Sequence, residues 1–279
     1  MIIVIDALNA SAFGEVLSEM YRLRARVFKD RLDWEVDVVD SMERDVYDDL
    51  DPAHVVCLDD DTGRVVGCMR LLQTTGPHML SDVFASILDG EPPLRSPQVW
   101  EATRFCVDVD RLDRGRGKNS ISYVTSEVMI GAFEYGRQAG ITDAVAVIDP
   151  VMNRVMKRSN NAPYDYLGSP KPMGKVTAMA ALMDCSEERI AGIRAFSGIA
   201  HDVFGSEDAA LALFERSKRT DPMQSLRKLA AEPGGLPQAR SAASAALRLY
   251  CLEQLSDAQD DDERNKALAL MQALARRLG

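Results

Sequence analysis

Residues 99–108, VWEATRFCVD, set the hardest constraint on any fold for this chain. Trp100, Phe105, Cys106 and Val107 ask for an apolar interior, so the run reads as a buried strand. Glu101 and Arg104 are expensive to hide in such a strand unless they are paired. On a regular strand an odd separation points them to opposite faces. A fold for this chain must therefore house a carboxylate and a guanidinium at its centre.

The segments around this strand alternate in type. Residues 2–5 suit a short first strand. From Ser11 the period turns helical, with Phe13, Leu17, Met20, Arg24 and Phe28 on one stripe, so Arg24 sits among apolar neighbours. Residues 29–51 hold many acids around Trp34 and read as an ordered loop, longer than a connection needs. HVVCL (54–58), DDDTG (59–63) and RVVGCMRLLQ (64–73) read as strand, turn and strand. Val66, Cys68, Arg70 and Leu72 share one face of the second, placing another arginine among apolar side chains. A short helix within 76–88 and a Pro-rich connection (90–97) lead into the strand at 99–108.

After it come DRLDRGRGKNS (110–120), a helix over about 120–139, a buried strand (143–149) and a helix (150–159) with Pro at its first turn. APYDYLGSP and KVTAMAALMD supply the last strands, and 186–196 reads as helix. The order describes an α/β protein, a mixed sheet with helices on both faces. Beyond about Phe204 the composition shifts to helix formers, with a PGGLP break at 233–237 and amphipathic helices expected over 238–255 and 260–278. We divide the chain into a first domain, 1–204, and a helical C-terminal extension, 205–279.

Charge narrows the partners. The net charge of −10 argues against general nucleic-acid binding. Residues 1–110 hold ten Lys/Arg against 22 Asp/Glu, whereas 111–175 hold ten against six. An acidic first half beside a basic middle suits a cationic ligand on one side and a phosphate-bearing or acidic partner on the other; solvated surface explains the same numbers. The five scattered cysteines and three histidines make no metal-ligand spacing, so neither a disulfide framework nor a zinc site is expected. No long apolar run suggests a membrane span, and MIIVIDALNA lacks the pattern of a signal peptide, so we expect a cytoplasmic protein.

Gly115 and Gly117, between a strand and a helix, could direct backbone N–H groups at a phosphate, with Arg114, Arg116 and Lys118 adding charge. A surface turn reads the same way. The charged residues of the first half also have two readings. Arg24, Asp45, Asp48, Arg70, Glu101 and Arg104 could form an ion network that holds the acidic loop on the sheet, or they could bind and convert a substrate.

Taken in isolation they favour the ion network; a family resemblance favours the second. Arg24 and Phe28 in LRARVF, Trp34, Asp45 and Asp48 in ERDVYDDLDP, Arg70 in GCMRLLQTTGPHML, and Glu101 and Arg104 in WEATRFCVD follow in an order that resembles the acyl-homoserine-lactone synthases, the autoinducer synthases of quorum-sensing bacteria. The similarity is dense over about 20–108, weaker to about 204 and absent from the extension. It implies a fold related to the GCN5-type N-acetyltransferases, whose central strand bulges and splays from its neighbour to admit the pantetheine arm of an acyl donor. A bulge inserts one residue and re-aims a side chain, so Glu101 and Arg104 could then serve one cleft.

The resemblance further implies that S-adenosylmethionine (SAM) and an acyl thioester, from acyl carrier protein or coenzyme A, are the substrates, with no metal or other cofactor. The SAM amine attacks the thioester, and the methionine carboxylate then closes the lactone and expels methylthioadenosine. In this frame Glu101 is the candidate base, directly or through one water. Trp34, Asp45 and Asp48 suit the sulfonium, and Arg24, Arg70 and Arg104 are candidates for the carboxylate. Phe28 joins the SAM site, while Gly115, Gly117, Arg114 and Arg116 take the donor's phosphate. Asp149 and Pro150 stand where small or hydroxylated residues are expected in makers of 3-oxo-acyl products, which leaves the acyl group open. Arg154, Lys157, Arg158, Lys171 and Lys175 could dock an acidic carrier or a coenzyme A donor, and the C-terminal helices could pair two copies of the chain or cover an exposed face. The competing functions are N-acylation of another amine without lactonisation, and non-catalytic ligand sensing.

Overall fold

A computed structural model describes residues 1–112, 117–118, 120–174 and 176–220. Chain contacts divide the protein into two units, Met1–Phe214 and Glu215–Gly279. The helices expected over 238–255 and 260–278 lie outside the described residues.

The first unit is built on a seven-stranded sheet. Its strands are β1 (Ile2–Ile5), β4 (Ala53–Leu58), β5 (Val65–Gln73), β6 (Val99–Val107), β7 (Asp143–Ile148), β8 (Asp165–Met173) and β9 (Val176–Asp184), in the spatial order β1-β4-β5-β6-β7-β9-β8. Each neighbouring pair is antiparallel except β6–β7, which is parallel. A separate two-stranded ribbon joins β2 (Val38–Val39) to β3 (Met42–Glu43).

Helices cover both faces. On one lies α1 (Gly14–Ala25), whose Val16, Met20 and Leu23 pack with Ile3, Val56 and Cys68 of the sheet. The other face carries α3 (Ile121–Gln138) and α5 (Glu187–Ser197), packed on Val55, Val107, Ala146 and Met183. Side-chain caps start α3 at Ser120, α5 at Ser186 and the short α4 (Pro150–Arg158) at Asp149, whose carboxylate accepts from the Met152 N–H at 2.7 Å. Asp149-Pro150 is thus a helix start, with the proline at the first position, where it gives up no bond. Ala210, Leu213 and Phe214 of α6 (Glu207–Thr220) are buried in the same cluster as α1, so this helix begins within the first unit.

The segment at 29–51, expected to be a loop, has more structure. The helical path of α1 continues as a π-turn over Arg26–Arg31; the β2–β3 ribbon follows, then a 3-10 turn over Val46–Asp49. Elements this short leave no period in the sequence to read. A further 3-10 turn, Ala85–Leu88, packs on β8, where Gly168 has a φ of +58°. A Cβ on Gly168 would lie 1.8 Å from the Ile87 carbonyl oxygen, so only glycine permits that approach.

Candidate active site

The pairing of β5 with β6 slips between Cys68 and Arg70: Cys68 faces Cys106, but Arg70 faces Thr103. One extra residue therefore lies on β6, and Arg104 in that bulge has a φ of +52°. The slip swaps the faces of all that follows. Glu101 and Thr103 point to the α1 side by the ordinary alternation, and after the bulge Arg104 and Cys106 do as well. This resolves the conflict posed by Glu101 and Arg104, and it stores backbone strain at the position that needs it.

Three arginines and three carboxylates meet there. Arg24, in the apolar stripe of α1, forms a two-pronged pair with Asp48 (both contacts 2.8 Å) and donates from Nε to Glu43 at 2.5 Å. Arg70 forks onto Asp45 (2.5 and 3.0 Å), reaches Asp48 at 2.9 Å and donates from Nε to the Thr103 hydroxyl at 3.0 Å. Arg104 contacts Glu43 at 3.1 Å through Nε and Nη2, and Asp45 at 2.7 Å through Nη2. Asp45 and Asp48 also cap the 3-10 turn: Asp45 accepts from the Tyr47 N–H, and Asp48 from the Asp45 N–H. The acidic loop is thereby tied to α1 and the sheet.

Exposure is graded across the network. Arg24, Glu43, Asp48 and Arg70 are buried, whereas the side chains of Arg104 and Asp45 are 12% and 19% exposed. Burial alone would push the Asp48 carboxyl up, but Arg24 and Arg70 hold it well below the usual carboxylate range. Burial also drives His54, beneath the network, down to about 4, so its imidazole is neutral at pH 7. The exposed end opens on Trp34, 39% exposed, which stacks on buried Phe28 with centroids 5.1 Å apart. The Arg104 guanidinium lies 5.6 Å from the Phe28 ring centre.

Glu101 is 0% exposed and stands apart from the three carboxylates. Its Oε2 accepts from the Met79 N–H and its Oε1 from the Leu80 N–H, both at 2.7 Å, at the start of α2 (Met79–Asp82). Burial pushes its carboxyl up to about 7 against the opposing pull of those two amides and of Arg70. Beside it the sheet opens. β6 and β7 pair only over Val99–Glu101 and Asp143–Val145, yet both strands continue. From Ala102 to Phe105 the side chains of β6 are partly exposed. Glu101 thus marks the apex of a V-shaped gap in the sheet.

The structure brings Arg24, Phe28, Trp34, Asp45, Asp48, Arg70 and Arg104 into one cluster, with Glu101 next to it across Met79. Asp48 and Arg24 are covered by their partners and present no face to a ligand; they hold the others in place. Gly115, Arg114 and Arg116 lie outside the described residues, and Gly117 is exposed. Arg154, Lys157 and Arg158 are exposed on α4, Lys171 pairs with Asp89, and Lys175 lies outside the described residues. Sequence reasoning missed Glu43, Thr103 and Met79. Glu43 lies in the same acidic run as Asp45 and Asp48, but nothing in the pattern separates it from its neighbours.

The autoinducer synthase family model matches residues 10–193. A probable acyl-homoserine-lactone synthase of Sinorhizobium fredii is 36% identical over 181 residues, which is 65% of this chain and 86% of that protein. The structure of the acyl-homoserine-lactone synthase LasI superposes with a TM-score of 0.60 at 30% identity, covering 70% of this chain and 94% of LasI. That of BjaI, a coenzyme A-dependent acyl-homoserine lactone synthase solved with SAM and isopentyl-CoA, gives 0.63 at 26% identity, covering 76% and 98%.

Proposed function

The chain belongs to the autoinducer synthase family and is an acyl-homoserine-lactone synthase; from that premise we propose that SAM and an acyl thioester meet at the apex of the opened sheet. The observation that carries this reading is the β6–β7 pairing, which stops at Glu101 and Val145 while the strands run on. An extended, amide-bearing pantetheine arm can enter such a gap as an added strand, with freed backbone groups as partners. The thioester carbon then arrives beside β6, where N–H groups released from β7 can hold the oxyanion.

SAM takes the adjoining pocket. Its adenine and sulfonium lie against Trp34 over Phe28, with Asp45 offsetting the positive sulfur. Its carboxylate takes the open side of the Arg104 guanidinium. Arg24, Glu43 and Asp48 act as positioning residues, fixing Asp45, Arg70 and Arg104 without touching substrate.

The SAM ammonium sheds one proton to Glu101 through a water. Each Glu101 oxygen accepts one amide N–H and keeps a second lone pair for this purpose. The free amine attacks the thioester carbon; the C–S bond breaks, and the departing thiolate takes the second nitrogen proton. The methionine carboxylate next attacks its own γ-carbon. The bond from the γ-carbon to the sulfonium breaks, and its electron pair returns to sulfur, releasing neutral methylthioadenosine and the lactone.

The donor's phosphate-bearing or acidic partner lies near α4, where Arg154, Lys157 and Arg158 are exposed directly after β7. The test is mass spectrometry of purified chain incubated with SAM and panels of acyl-CoA and acyl-carrier-protein thioesters. An N-acyl-homoserine lactone appearing with one equivalent of methylthioadenosine is expected. An N-acyl product formed without methylthioadenosine would overturn the reading in favour of another acyltransferase.

A further inference from the structure

One contact in the site joins an excellent donor to a poor acceptor. Arg70 Nη2 and Arg104 Nη1 both point at the Met79 thioether, each at 3.4 Å from sulfur. The oxygens of Glu43, Asp45 and Asp48 each hold a guanidinium contact, so the network is balanced without Met79. Among the described residues, Arg104 Nη1 has only that sulfur as a hydrogen-bond partner. A thioether is a weak acceptor, whereas a guanidinium N–H gains most from a carboxylate.

The same residue is held from behind. Its backbone N–H donates to Glu101 at 2.7 Å, and its side chain packs with Tyr47 and Leu72. Met79 is therefore tethered at its main chain and, through an unbranched side chain with three rotatable bonds, free to change rotamer at its tip. Glu101 and the two arginines meet at this one residue.

We infer that Met79 is a positioning residue whose thioether holds the place of the substrate carboxylate on Arg70 and Arg104 and yields it when SAM binds. The inference rests on the proposed SAM site. The placeholder keeps the two donors aimed before substrate arrives. It costs affinity, because the carboxylate must displace it.

Two probes separate this role from simple core packing: S-adenosylhomocysteine, which carries the amino-acid carboxylate, and methylthioadenosine, which lacks it. Met79→Leu keeps the volume and removes the acceptor. The full-length variant is expected to bind S-adenosylhomocysteine about fivefold more tightly, the scale of one modest hydrogen bond, with methylthioadenosine affinity unchanged. Equal shifts for both nucleosides, no shift, or weaker S-adenosylhomocysteine binding would overturn the inference. The wild-type chain gives a second readout. With 13C-methyl methionine, the Met79 methyl resonance, assigned by its absence in Met79→Leu or Met79→Gln, should move with S-adenosylhomocysteine and stay with methylthioadenosine. A resonance that responds to both alike, or to neither while both bind, overturns it. Failure of the chain to bind either nucleoside would instead remove the SAM site itself, and this inference with it.

Discussion

The two ends of the arginine–carboxylate network use the same chemistry for opposite purposes. At the inner end, Arg24, Glu43 and Asp48 are buried and fully engaged with one another. At the outer end, Arg104 and Asp45 keep part of their surface in the cleft, and one Arg104 nitrogen rests on a sulfur. The comparison teaches that a buried ion pair can serve as anchorage for one that is left incomplete. The inner end fixes the backbone at 43–48; the outer end inherits that rigidity and spends its spare donors on substrate.

Removing the inner end should have the largest effect. Arg24→Met removes the buried cation that Glu43 and Asp48 share, leaving Glu43 only Arg104 and Asp48 only Arg70, and breaking a buried pair costs about 3–5 kcal/mol. Urea unfolding should show that loss; a decrease under about 1 kcal/mol would mean the two ends do not differ.

pH should separate them next. The Glu101 pKa is about 7 when folded, above its ordinary 4.5, so the native state binds the extra proton. Its contribution to stability is therefore full below about 4.5 and is lost as pH rises to about 7, amounting to about 3 kcal/mol. The difference between wild type and Glu101→Gln, followed by denaturation across this range, isolates it. Asp48 works in the other direction: its stabilisation is present above the unfolded carboxyl pKa and is lost in acid. Activity should rise with pH through about 7 as Glu101 becomes able to accept a proton. A flat kcat/KM profile from pH 6 to 8 would argue against it as the base.

Arg104→Lys tests the outer end directly. A lysine keeps the charge but loses the fork, so KM for SAM should rise about tenfold, while stability changes by under about 1 kcal/mol. A variant that unfolds early but retains its KM would reverse the assignment of the two ends. The smallest effect is expected at the rim. Trp34→Leu removes the stack on Phe28, worth about 0.5–1.5 kcal/mol. Methylthioadenosine binding should weaken by a few-fold, and an unchanged affinity would place the nucleoside elsewhere.

Much of this was legible in the sequence, and for identifiable reasons. The helical stripe that includes Arg24 and the strand face that includes Arg70 revealed two arginines in apolar company, and the structure buries both. The strand at 99–107 and the helices on both faces follow from apolar period alone. The 29–51 segment was less legible, because a π-turn, a two-residue ribbon and a 3-10 turn are too short to print a period. Glu43 was hidden among acids of equal standing, and Met79 among ordinary apolar residues. The occupation of both Glu101 oxygens by α2 could not be foreseen, since it depends on how residues 76–82 fold back onto β6.

By itself the sequence determined the order of the longer strands and helices of the sheet, the faces they bury and the fact that several charges must be housed in the interior. Tertiary structure alone decided which guanidinium meets which carboxylate, which end of the network faces the cleft, and that a methionine sulfur sits between two arginines and a glutamate. The physical reason is one of range. Side-chain period reports the direction a residue faces within its own element, whereas a salt bridge depends on distances between segments remote in sequence. Those distances are set only when the sheet, with its bulge at Arg104 and its gap beyond Glu101, has closed around them.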